Sequence, residues 1–286
     1  MRPLYTERTP RVVAARRLTR RSVRSETGRF LAEGPQAVAE ALGRADAASQ
    51  VRELFGTDEA LARYADLVGR AEALGVPTSR VTGRGMAGLS ETVSPQGLVA
   101  VCRSLHLPLA GVLPPADPGV SGAPGRPAVP RLVAVLADVG DPGNAGTVLR
   151  SADAAGAGAV VFAGDSVDPY NGKCVRASAG SLFHLAVVRG GSVAEAVGAA
   201  RSAGLQVLAA TGSGRDDLFD LADSGELAGP TAWLLGNEAR GLAGPDAALA
   251  DRTVRVPMPG RAESLNLAAA AAVCLFASAR AHMSDR

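Results

Sequence analysis

The second half of this 286-residue chain holds three short segments whose side chains have the means to handle an oxygen nucleophile. The first, ADVGDPGNAGTVLRSADAAG at 137–156, carries Asn144 and, six residues later, Arg150. The second, WLLGNEARGL at 233–242, carries Gly236, Asn237, Glu238 and Gly241. The third, VRVPMPGRAESLNLAAAAAVCLF at 254–276, carries Ser264, Leu265 and Asn266. A guanidinium keeps its proton up to a pKa above about 12, so Arg150 is a poor base but a good fixed cation, able to orient a substrate and to stabilise an alkoxide as it forms. Glu238 can be read as the anchor of Arg150 or as a proton acceptor, and the residues alone do not choose between the two.

Each segment has the order strand, polar turn, helix. Apolar runs at 132–139, 159–163, 185–188, 206–210, 232–235 and 253–256 alternate with helix candidates, which predicts a parallel sheet covered on both faces. In such a sheet the loops leaving the carboxyl ends of the strands share one edge, where ligands bind at a topological switch point. Asn144 is placed to cap a helix carrying Arg150 in its second turn. Ser264 is placed to cap the long C-terminal helix, with Leu265 and Asn266 in its first turn. Taken singly, helix caps and turn glycines account for each segment; three of them on one predicted edge point to a site.

The stretch 107–130 is rich in proline and glycine and has no helical or strand period, so it reads as a linker between a first domain at 1–106 and a second at 131–286. In the first domain, strand runs at 51–55 and 97–102 alternate with helical stretches at 35–43 and 59–74, a small α/β pattern. The net charge of +2 conceals nine arginines against two glutamates in residues 1–30. Such a polybasic segment suits phosphate contact. Cys102, Cys174 and Cys274 are odd in number and far apart, which fits neither a disulfide framework nor a structural metal and suggests a reducing, cytoplasmic setting. The N-terminus lacks an apolar signal region, and the longest apolar run, 267–277, is too short to span a bilayer. No G-x-G-x-x-G follows the first strand of the second domain, which argues against Rossmann-type methyltransferases and dehydrogenases.

The combination D-P-G-N with an arginine six residues after the Asn, then L-G-N-E-x-x-G, then V-P-M-x-G-x-x-x-S-L-N resembles the three signature motifs of the SpoU/TrmH class of RNA 2'-O-ribose methyltransferases in the SPOUT superfamily. The similarity covers roughly 131–281, and DPYNGKCVRASAGSLFHLAV at 168–187 resembles the stretch between the family's first and second motifs. More loosely, residues 16–42 and 94–103 are similar to the family's substrate-binding extension, which has a ribosomal-protein-like RNA-binding fold. The resemblance implies an α/β SPOUT-type domain with a parallel sheet and a deep trefoil knot, and a homodimer with its active site at the subunit interface. It also implies S-adenosylmethionine as methyl donor, no metal, and structured RNA as substrate, with ribosomal RNA favoured over transfer RNA because of the appended first domain.

By the same resemblance, Asn144, Arg150, Glu238, Ser264 and Asn266 are the catalytic set, while Thr211, Gly236, Val256, Met258 and Leu265 cradle the donor. Gly236 has a physical reason to be there, since lack of a Cβ lets backbone approach a ligand closely. Arg16, Arg17, Arg20, Arg21 and Arg24 are candidate RNA contacts, with Lys173 and Arg176 at the catalytic end. Two rival readings remain: an RNA-binding assembly factor that keeps the fold without catalysis, and a related enzyme acting on a base nitrogen.

Overall fold

The computed structural model describes residues 3–116 and 129–284. The chain forms two compact units, one from residues up to Leu105 together with Asp168–Phe183, the other from His106–Val167 and His184 onward.

The second unit is built on a sheet of seven strands: β6 (Leu132–Ala137), β7 (Ala159–Ala163), β8 (Ala186–Arg189), β9 (Gln206–Ala210), β10 (Asp216–Asp217), β11 (Thr231–Leu235) and β12 (Arg252–Arg255), counting from the five strands of the first unit. Their order is β10-β12-β9-β11-β6-β7-β8, with every neighbouring pair parallel. Sequence alone did not indicate β10. β6, β7 and β11 are buried at every position, as expected of strands covered on both faces. On one face Val133, Val135, Val161, Val207 and Leu234 pack with helix Val193–Ser202. On the other, the C-terminal helix Leu267–Ser284 packs against β11 and helix Pro142–Ala154. Trp233, wholly buried there, donates its indole N–H to Ser278 Oγ at 2.9 Å, so the one polar atom of a large apolar side chain is satisfied. Burying each such Val or Leu contributes about 1.5–3 kcal/mol before entropy is subtracted.

The first unit has five strands: β1 (Leu4–Tyr5), β2 (Arg29–Glu33), β3 (Val51–Gly56), β4 (Thr78–Val81) and β5 (Leu98–Arg103), in the order β1-β4-β3-β5-β2. β5 runs antiparallel to both neighbours. Val12, Ala15 and Leu18 of the N-terminal helices pack with Leu31, Phe55, Val99 and Val101 of the sheet. The expected helix at 59–74 is two, Asp58–Arg63 and Ala65–Ala73, broken at Tyr64, whose ψ of 44° is not helical.

The expected division into 1–106, 107–130 and 131–286 differs from these units in two places. Asp168–Phe183, assigned by sequence to the catalytic domain, packs into the first unit. Asp168 accepts a hydrogen bond from Arg24 Nε at 2.8 Å, Tyr170 lies against Phe30 with ring centroids 4.6 Å apart, and Arg176 Nη1 reaches Glu33 Oε2 at 2.7 Å. The start of the expected linker, in turn, is structured within the second unit. Leu107 N–H donates to Val187 O at 2.8 Å, a helix covers Leu109–Val112, and Val112 and Leu113 are buried in that unit's core. Residues 117–128 of that stretch lie outside the described residues. Among the described residues no helix is long and apolar enough to cross a membrane.

Candidate active site

The loops that follow β6, β11 and β12 meet, and a run of hydrogen bonds ties them together. Glu238 lies at its centre: Gly140 N–H donates to Oε2 at 3.1 Å, Asp141 N–H to Oε1 at 3.0 Å, and Asn144 Nδ2 to Oε1 at 3.2 Å. Asn266 Nδ2 donates to Asn144 Oδ1 at 3.0 Å, while Asn266 Oδ1 accepts from Ala268 N–H at 2.9 Å. The chain has one consistent direction, from a helix N-terminus through two carboxamides to a carboxylate, which fixes how each amide is turned.

Two expected helix caps are displaced by this arrangement. Asp141 caps helix Pro142–Ala154, its Oδ1 accepting from Asn144 N–H at 2.8 Å, and Asn144 is the third residue of the helix with its side chain free to bridge. Asn266 caps the C-terminal helix, because the chain turns helical only at Leu267; Ser264 is exposed two residues earlier. Arg150 sits in the third turn of its helix, exposed, and its side chain makes no hydrogen bond or ion pair among the described residues. Glu238 therefore does not anchor Arg150: its oxygens are occupied by Gly140, Asp141 and Asn144.

Burial pushes the Glu238 carboxyl up, but the hydrogen bonds it accepts from its own backbone, from Asp141 and Gly140 and from the Asn144 side chain outweigh this and hold its pKa below the ordinary carboxylate value. A carboxylate so satisfied is a poor proton acceptor. Because the folded pKa is depressed, its stabilisation is fully present above the unfolded glutamate value of about 4.3 and is lost as pH falls through the lowered folded value. Glu238→Gln should lower the thermal midpoint by about 2–4 °C at neutral pH, for about 1 kcal/mol of exposed charge-assisted bonding. The difference from wild type should stay constant down to about pH 5 and close below about pH 4, as checked by melts across that range.

A cavity of about 300 Å³ opens beside this run, at the ends of β9, β11 and β12. Thr211, Gly236, Val256, Met258 and Leu265 all line it, together with Glu238 and Ser264, whereas Arg150 does not. Its walls, including Leu235 and Leu267, are mainly apolar, with Thr211, Asn237, Glu238 and Ser264 as the polar side chains, the usual build of a small-molecule site. Such a lining fits a donor with an adenosine moiety. A Cβ at Gly236 would lie 2.4 Å from Gly241 C and Leu242 N, so its bareness also serves closure of its own loop.

Asn237, given no role from sequence, turns out to latch two loops. Its Nδ2 donates to Asp138 O at 2.8 Å and its Oδ1 accepts from Ala239 and Arg240 N–H at 3.0 and 3.2 Å. Asp138 has φ of 54°, rare for a non-glycine residue, and its Oδ1 accepts from Asp165 N–H at 2.7 Å. The Asn-Glu pair after Gly236 was the available signal, since an Asn in a turn commonly bonds nearby backbone.

Of the candidate RNA contacts, Arg16, Arg17, Arg20, Arg21 and Lys173 are exposed. Arg24 is not: only 3% exposed, it pairs with Asp168 and donates Nη1 to Leu18 O and Thr19 O at 3.0 and 2.7 Å, so it is a structural cation. Arg176 is likewise committed to Glu33, which also accepts from Ser90 and Thr92. The arginine-rich N-terminal segment is folded into short helices between Pro10 and Thr27.

A parallel α/β sheet with a cavity and a polar network at its carboxyl edge defines a ligand site of the switch-point kind. Comparison with known proteins makes it specific. The profile of the SpoU rRNA Methylase family matches residues 131–276, and that of the MRM3-like substrate binding domain matches residues 9–100. A Bacillus subtilis protein, 23S rRNA (guanosine(2553)-2'-O)-methyltransferase RlmP, is 31% identical over 96% of this chain and 98% of its own length. The Streptomyces viridochromogenes 23S rRNA (uridine(2479)-2'-O)-methyltransferase is 43% identical over 49% of this chain and 50% of its own length. An AdoMet-bound rRNA methyltransferase from Sinorhizobium meliloti superposes with a TM-score of 0.79 at 30% identity, covering 97% of each chain. The chain belongs to the SpoU rRNA methylase family. It is an S-adenosylmethionine-dependent RNA 2'-O-ribose methyltransferase.

Proposed function

We propose that this protein methylates a ribose 2'-hydroxyl of 23S ribosomal RNA. The observation that carries the reading is the hydrogen-bonded run Glu238–Asn144–Asn266 lying beside the cavity lined by Thr211, Gly236, Val256, Met258 and Leu265. The naming of 23S rRNA in the two relatives above supports the target.

When bound, S-adenosylmethionine supplies an electrophilic methyl group. Val256, Met258 and Leu265 hold the apolar part of the donor, and Thr211 lines the same cavity. Ser264, with its hydroxyl exposed beside Leu265, and Asn266, braced by Asn144, position the ribose. Glu238 acts as a positioning residue that fixes the three loops. Arg150 orients the RNA phosphate and stabilises negative charge on the 2'-oxygen. The 2'-hydroxyl proton is released to solvent water.

Arg150 is exposed and outside the cavity, as fits a residue offered across an interface, so the working unit is a homodimer whose site the partner subunit's Arg150 completes. The C-terminal helix favours this: Phe276 and Met283 are 50% and 68% exposed on it, large apolar surface suited to a second copy. The threading of the C-terminal segment into a trefoil knot belongs to the same proposal, as does a cytoplasmic location, where ribosomal RNA is found.

The test incubates purified protein with methyl-labelled donor and either unmodified 23S rRNA or unmodified tRNA. Label entering 23S rRNA is expected. Transfer to tRNA alone, or to neither, would overturn the target or the catalytic reading respectively.

A further inference from the structure

β9 and β10 follow one another in sequence, yet β12 lies between them in the sheet. The segment 211–215 therefore has to cross β12 to carry the chain from one side of it to the other. The crossing is close: a Cβ on Gly214 would lie 2.4 Å from Val254 C and 2.5 Å from Arg255 N, so only a glycine lets the two backbones pass. Thr211 N–H donates to Val254 O at 2.9 Å, Gly214 N–H turns back to Thr211 O at 3.1 Å, and Arg215 N–H donates to Thr253 Oγ1 at 3.2 Å.

Arg255 fastens this crossing. Its Nη1 donates to Gly214 O at 3.2 Å and to Arg215 O at 3.0 Å, and its Nη2 lies 3.4 Å from Asp217 Oδ2. One planar fork thus gathers two carbonyls and a carboxylate of the crossing chain, which a flexible point charge does less well. Little else secures the far side, where β10 is only Asp216 and Asp217, paired with Val254 and Arg255. So short an edge strand is marginal by itself. The crossing starts at the cavity of about 300 Å³: Ala210, Thr211 and Gly212 form one wall, and Val254, Val256 and Met258 contribute another. Arg255, between Val254 and Val256, is not part of the lining, as the alternation of an extended chain requires.

We propose that Arg255 is a positioning residue for the methyl donor: by latching the crossing segment to β12 it fixes the Thr211–Gly212 wall of the cavity against the Val256–Met258 wall before the donor arrives. The proposal rests on this cavity being the donor site. A loop that must be ordered at the moment of binding costs affinity, and one ordered beforehand avoids that cost. Arg255 neither lines the cavity nor bonds to the Glu238–Asn144–Asn266 run, so its effect falls on donor binding and not on methyl transfer itself.

The test is Arg255→Met in the full-length protein, a change that keeps most of the side-chain length and removes the fork. In calorimetric titration with S-adenosylmethionine, Kd should rise about five- to twentyfold with the stoichiometry unchanged. A merely misfolded fraction would do the reverse, lowering the stoichiometry and leaving Kd alone. KM for the donor should rise in step, while kcat at saturating donor stays within about twofold of wild type. Without donor, amide hydrogen exchange should quicken at residues 211–217 and stay as in wild type in β6 and β7. Arg255→Lys, still able to donate to a carbonyl, should fall between the two proteins in both measurements, and it carries the test if the methionine variant does not fold. A wild-type Kd, unchanged exchange at 211–217, or a loss confined to kcat would each overturn the proposal. If S-adenosylmethionine bound the wild-type protein without slowing exchange at Thr211, Gly212 and Gly236, the donor reading of the cavity would fall instead, which separates the two failures.

Discussion

Replacing Arg150 by Ala should lower methyl transfer to RNA by a factor of about 10² to 10³ or more while leaving S-adenosylmethionine affinity and thermal stability at wild-type values. The prediction is sharp because of where Arg150 lies. It is exposed in the third turn of helix Pro142–Ala154, outside the cavity, and its side chain makes no hydrogen bond or ion pair among the described residues. Removing such a side chain changes stability by about 0.5 kcal/mol at most, so any large loss of turnover is a loss of transition-state interaction. Arg150→Lys should also be strongly impaired, because a mobile point charge does not reproduce a planar fork held against phosphate and alkoxide. Single-turnover assays at saturating RNA, paired with donor titration by calorimetry, separate the effects; near-normal turnover in Arg150→Ala would show that the cation has no part in the reaction.

The second large effect concerns stability. Arg24→Ala should cost about 3–5 kcal/mol, because it removes the guanidinium that pairs with the carboxylate of Asp168, only 2% exposed. It also strips the Leu18 and Thr19 carbonyls of donors. Arg24→Met combined with Asp168→Leu should recover part of the loss, since apolar replacement of both partners removes the buried charge. The two units provide separate reporters in urea unfolding: the three tyrosines lie in the first unit, and Trp233 lies in the second. The tyrosine near-UV signal should shift to lower urea in Arg24→Ala by more than the Trp233 emission does. Unchanged midpoints would mean that the ion pair contributes nothing beyond its geometry.

How much could be read in advance depended on the range of the interaction concerned. β7 and β9 are apolar runs covered on both faces, and their limits follow from the residues themselves. β2 and β4 are short and mixed in polarity, and only their neighbours in the sheet define them. Near the site, the error over Asn144 was avoidable: Pro142 marks the first helical position, which makes Asp141 the cap. The choice between Ser264 and Asn266 was not settled by sequence, since both are good caps two residues apart and the backbone path of the preceding loop decides. Nothing in the row of N-terminal arginines distinguishes Arg24, whose burial is set by a partner 144 residues away. The charge was legible and its placement was not, which is why Arg24 and Arg176, committed to Asp168 and Glu33, leave the list of candidate RNA contacts.

The central claim is that three loops tied by Glu238, Asn144 and Asn266 form a site for methyl transfer to ribose oxygen. Its most direct test is nucleoside analysis of RNA after reaction with methyl-labelled donor: complete digestion to nucleosides and mass measurement of the labelled species. All label should be found in a 2'-O-methylribonucleoside, with the methyl retained on the sugar fragment, and Glu238→Ala should produce little of it. Label on a base fragment, or a Glu238→Ala protein as active as wild type, would contradict the account.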